Sequence, residues 1–155
     1  MAAPSAVPYD RAGQECNAAR PRLNMTVHRI RLRGPWQLAP AAASEAQTTT
    51  VRLPAPWSEL FDGDAARMRL SRRFHRPTNL GPTDQVSLVV RPLPLGARVS
   101  LNGTILDLQP DCGSDQAVFP APRLELSNVL AVEFDAFRAV GDQPGIEVAL
   151  LITSP

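Results

Sequence analysis

Five side chains in this sequence have the types and spacing to meet a polyhydroxylated ligand: Trp57, Asp62, Asp64, Asp111 and Arg138. An indole face stacks on a pyranose ring, while carboxylates and a guanidinium exchange hydrogen bonds with its hydroxyls. Trp57 also falls in a turn or single helical turn with Leu60 and Phe61, and the three together would cover one end of a core. The carboxylates could instead hold a calcium ion, which takes about six to eight oxygens. Asp62-Gly63-Asp64 offers two of them, but no Asp-x-Asp-x-Asp-Gly loop is present, and a solvated turn is favoured. No metal or other cofactor is therefore expected. His28 falls on the inward parity of its stretch, as a core histidine would, and His75 stands beside Arg76. A general base needs a nucleophile within reach, and there is no Gly-x-Ser-x-Gly and no metal triad, so no catalytic residue is assigned. Cys16 and Cys112 are too few for a disulfide framework and lack Cys-x-x-Cys spacing, so both should be free thiols.

The elements that must position these groups are strands. Between Asp84 and Leu108, Val86, Leu88 and Val90 alternate with Ser87, Val89 and Arg91, and Ala97, Val99 and Leu101 alternate with Arg98 and Ser100; that is the period of a strand with one buried face. Asn102-Gly103 then predicts a two-residue type I′ hairpin, whose central positions both need positive φ. Further strands are expected from Thr26, over Thr48 to Leu53, over Arg67 to Phe74, at Val118-Phe119, over Val129 to Phe137 and from Ile146. Met68, Leu70, Leu130, Val132 and Phe134 should face inward. Arg72 shares that inward parity, which calls for a bend or for a carboxylate partner, since an unpaired buried charge is costly.

Short strands with regular turn signals and no helix beyond a turn or two define an all-β protein, an antiparallel β-sandwich of jelly-roll type with eight or nine strands. Residues 25–155 form it. Residues 1–24 show neither hydrophobic period and read as a disordered tail, with Met25 as the expected natural start. In such a sandwich alternate loops share an end. Trp57, Asp62, Asp64, Asp111, Asp115, Arg138 and Asp142 then gather at one end, and Trp36, His75, Arg76, Asn102 and Asn128 at the other.

With 155 residues the chain suits one core, and its formal charge of +1 gives no long-range attraction to nucleic acid or to an anionic membrane. All 16 cationic residues are arginine. Two arginine rows, at Arg29, Arg31, Arg33 and at Arg67, Arg69, Arg73, would form a basic stripe only if their strands were neighbours. No apolar run reaches the ~20 residues of a membrane span, and the leader has no apolar stretch of a secretory signal. A cytoplasmic location is the expectation.

Read in order, several short words form a pattern: L-R-G-P-W at Leu32–Trp36, V-R-L-P-A-P-W at Val51–Trp57, L-S-R-R-F at Leu70–Phe74, A-R-V-S-L-N-G at Ala97–Gly103 and S-N-V-L-A-V at Ser127–Val132. The chain resembles the N-terminal sugar-binding domain of the family 2 glycoside hydrolases, the β-galactosidase and β-glucuronidase group, over about Val27 to Ile152. The resemblance implies a galactose-binding-like jelly roll, here as a stand-alone domain. It also implies that Trp57 is largely structural. The sequence departs from the family at Gln109–Gln116, QPDCGSDQ, which lacks the aromatic residues usual there. The family's catalytic carboxylates belong to a barrel that this chain does not include, so no enzyme activity is expected. Two readings follow: a non-catalytic carbohydrate-binding module, alone or docked on a separate enzyme, and a structural or protein-interaction sandwich that uses a sheet face or edge for a partner or for self-association.

Overall fold

The structure is a computed structural model, and it describes residues 25–42, 47–60, 67–94, 96–109, 116–135 and 145–155. The segment 1–24 lies outside the described residues.

Ten strands are formed among the described residues: β1 (Thr26–Arg31), β2 (Trp36–Pro40), β3 (Thr49–Val51), β4 (Arg67–His75), β5 (Gln85–Arg91), β6 (Arg98–Leu101), β7 (Thr104–Ile105), β8 (Ala117–Pro120), β9 (Ser127–Asp135) and β10 (Glu147–Ser154), with one helical turn, α1 (Trp57–Leu60). They build two sheets, a four-stranded one in the order β1-β10-β5-β8 and a six-stranded one in the order β3-β2-β4-β9-β6-β7, with antiparallel pairing throughout. The expected sandwich is therefore present, with more strands than the eight or nine expected. The strand missed was β2. Its sequence WQLAP is short and ends in proline, but Trp36 and Leu38 are buried and Gln37 is exposed, which is the strand alternation in three residues.

The period-2 pattern fixes the facing sides of the sheets. Met68, Leu70 and Phe74 of β4 and Leu130, Val132 and Phe134 of β9 are buried against Leu88 and Val90 of β5 and Val148 and Leu150 of β10. Each such side chain contributes roughly 1.5–3 kcal/mol on leaving water. Alternation fails in the middle of the smaller sheet, where Val89 and Ala149, opposite each other in register, are buried although they point away from the other sheet. At β1 it fails the other way: all six residues are exposed, His28 and Ile30 included. His28 is thus not a core histidine. Parity sets which way a side chain points, but burial needs something opposite, and β1 is an edge strand.

Arg72 follows the regular ladder between β4 and β9, opposite Leu130. There is no bend, and among the described residues no carboxylate bonds it. Its Nε and Nη1 are shut off from solvent with no hydrogen-bond partner, and burial lowers its pKa. The two arginine rows lie in different sheets, β1 in one and β4 in the other, so no basic stripe forms. On the larger sheet's outer face Arg67 instead bonds Asp135 at 2.8 Å and approaches Glu133 at 3.6 Å.

Candidate functional site

Tight backbone contacts set the two ends of the sandwich. At the first, Gly145 passes so close to Ala55 that a Cβ on it would overlap the Ala55 carbonyl. This brings the start of β10 beside the turn that leads into α1. Arg67 Nη2 donates to Gly96 O at 3.3 Å, joining the β5–β6 turn to the same end. The grouping of loops expected from strand order holds at these flanks. Of the five candidate ligand residues, only Trp57 is described. It starts α1, is 6% exposed, and sets its ring edge-on to Phe134, with centroids 5.8 Å apart and planes at 72°. That is a core position with little face left for a sugar ring. Asp62, Asp64, Asp111 and Arg138 lie outside the described residues, as do Cys16, Cys112, Asp115 and Asp142.

At the opposite end, Trp36 is 0% exposed and its Nε1 donates to Leu32 O at 2.7 Å. It too is core. Asn102 and Gly103 have φ of 51° and 83°, the two positive values a type I′ turn needs. The turn is tied to the chain before β9 through Asn128, which is fully buried. Asn128 Oδ1 accepts from Glu125 N and from Asn102 Nδ2, both at 3.0 Å, while its Nδ2 donates to Glu125 O at 2.8 Å. Asn102 Oδ1 in turn accepts from Val129 N at 2.7 Å. This clasp was not legible beforehand. Asn102 is explained by its turn alone, and nothing local says that a residue 26 positions away shares it.

Beside the clasp opens a groove of about 930 Å³ between the β4–β5 connection and the segment that follows β8. Its polar lining comes from Arg76, Asp84, Gln85, Ser87, Gln109 and Arg123, and among the described residues no aromatic ring lines it. Asp84 closes its own turn by accepting from Gly81 N at 2.8 Å. That bond, then one to the Ser154 side chain, then the charge of His28, holds its carboxyl below the ordinary carboxylate range against the opposing effect of desolvation. The arrangement can give and take hydrogen bonds and can neutralise an anion. Among the described residues no group of three His, Cys, Asp or Glu is placed to hold a metal, and no helix is long and apolar enough to cross a membrane.

The fold is an antiparallel two-sheet β-sandwich with a polar groove at one end, and comparison with known proteins shows where else that fold occurs. No family model and no curated protein matches the sequence. Solved structures do. An FMN-binding β-glucuronidase from Faecalibacterium prausnitzii L2-6 superposes with TM-score 0.59 at 23% identity, over 85% of this chain and 23% of its own. A second β-glucuronidase of Faecalibacterium prausnitzii gives TM-score 0.60 at 18% identity, over 88% and 33%. A β-D-glucuronidase from Dictyoglomus thermophilum gives 0.58 at 12%, over 88% and 29%. The likeness read from the sequence holds at the level of the fold: this chain shares the β-sandwich of the matching part of those glucuronidases. It spans 23–33% of the length of those three proteins, the extent of one small domain.

Proposed function

We propose that this sandwich is a non-catalytic carbohydrate-binding module. The observation that carries the reading is the polar groove, a concavity of ligand size lined by two guanidiniums and two side-chain amides, on a fold shared with glycoside hydrolases. With no aromatic platform among the described residues, hydrogen bonds supply the affinity, so binding is weak, with Kd on the order of 0.1–10 mM, or about 3–5 kcal/mol. Both tryptophans are buried, which makes their fluorescence a poor reporter. Titration with galactose, glucuronic acid and mannose should be followed by backbone amide NMR, after a glycan array. Arg76→Ala and Arg123→Ala should each weaken binding several-fold. If Asp62→Ala or Asp111→Ala abolishes binding while the arginine variants do not, the sugar sits at the Trp57 end.

Burial of both tryptophans also favours a second reading, a protein-interaction sandwich. No response to any glycan at 20 times the upper Kd, about 200 mM on the estimate above, would leave that reading in its place.

A further inference from the structure

We propose that the free edge of β1 is a strand-addition site for an extended segment that alternates carboxylate and apolar side chains. The inference holds whether or not the groove takes a sugar. Leu32 N donates to Val148 O, and with Ile30 opposite Leu150 and His28 opposite Ile152 this fixes which residues bond across the ladder. In an antiparallel pair the bonded positions alternate. Thr26, His28 and Ile30 therefore turn their amides and carbonyls toward β10, and Val27, Arg29 and Arg31 turn theirs outward, with no strand beside them among the described residues.

An edge of this kind is a template for another strand, and its two faces state what that strand should carry. On the outer face Arg29 bonds Glu147 at 2.9 Å and Arg31 approaches the same oxygen at 3.6 Å. Two guanidiniums thus share one carboxylate, and a third arginine, Arg91, stands opposite Glu147 in register on the same face. On the other face Ile30 is 39% exposed, an apolar side chain the larger sheet does not reach. An incoming strand thus meets positive charge at alternate positions on one side and an uncovered apolar side chain on the other.

Charge decides among occupants. A second copy pairing through β1 would set Arg29 against Arg29 and Arg31 beside Val27. The chain's own residues 1–24 carry three arginines to two carboxylates and three prolines, which suits neither the charge nor the ladder. An acidic extended segment of another protein satisfies both faces.

The test uses the full chain and a labelled peptide that alternates glutamate with valine, beside one that alternates lysine with valine. The glutamate peptide should bind, more weakly as salt is raised, and slow hydrogen exchange at the outward amides of Val27, Arg29 and Arg31. Arg31→Glu should weaken it roughly three- to tenfold. Val27→Pro, which removes an outward donor and spares the bonds to β10, should abolish protection there while the rest of the fold keeps its amide spectrum. Equal binding of the lysine peptide overturns the proposal. So do exchange rates at the three amides that stay fast under saturating glutamate peptide, that are already slow without it, or that slow with protein concentration as a dimer forms.

Discussion

Replacing Arg72 by methionine should make this protein more stable. Arg72 points between the sheets from β4, and its Nε and Nη1 have neither a partner nor solvent. A buried donor left without an acceptor costs about 1–3 kcal/mol, and more on a charged group. Arg72 is half-buried rather than enclosed, so part of its charge stays hydrated and the lower figure per donor applies. Methionine keeps the unbranched stem, so the packing against its row is largely retained. The net expectation is a gain of about 1–3 kcal/mol. For a chain of this size each kcal/mol moves the melting temperature by about 2–4 °C, giving a rise of roughly 2–12 °C. Calorimetry together with urea unfolding would measure it, the midpoint rising at constant slope. Arg72→Ala should gain less or nothing, because it also removes the stem and leaves a cavity. A melting temperature that falls with methionine would refute the reasoning and show that the guanidinium has a partner that stabilises the fold.

Gly103→Val should cost about 1–3 kcal/mol, read as a lower melting temperature; no atom crowds a Cβ there, so the whole effect comes from a β-branched residue at φ 83°. Asn128→Ala should cost about 1–3 kcal/mol by urea unfolding, since Asn128 is fully buried and its loss strands the part-buried Glu125 backbone groups and the Asn102 amide. Asp84 makes stability depend on acid. Its carboxyl is held below the ordinary 3.8, so its contribution is complete above that value and fades as pH falls through the lower folded one. Unfolding curves across this range for the wild type and Asp84→Asn should therefore converge toward low pH, and parallel curves would contradict the assignment.

The resemblance words fared unevenly as guides to sites. V-R-L-P-A-P-W ends in Trp57, and the indole is a core piece set against Phe134, the structural role that the resemblance implies. The groove at the other end was only half visible. Arg76 was placed at that end from strand order, but Asp84-Gln85, Gln109 and Arg123 come from three separate stretches, and none belongs to a motif.

What the sequence determined by itself is the local geometry. Period-2 alternation over Arg67–Phe74 and Val86–Val90 set which side chains turn inward, and Asn102-Gly103 set the hairpin, because strand pleat and positive φ are properties of the chain within a few residues. The tertiary structure decided what stands opposite each face. His28 and Ile30 share their inward parity with Leu88 and Leu150, yet they stay exposed because β1 closes the smaller sheet at an edge that the larger sheet does not cover. Arg72 keeps the parity of its strand and is carried between the sheets without a partner, since the ladder with β9 fixes its direction whatever its charge. Which strands become neighbours depends on pairings between residues distant in sequence, more than a hundred positions apart for Ile30 with Leu150, and no local pattern encodes those.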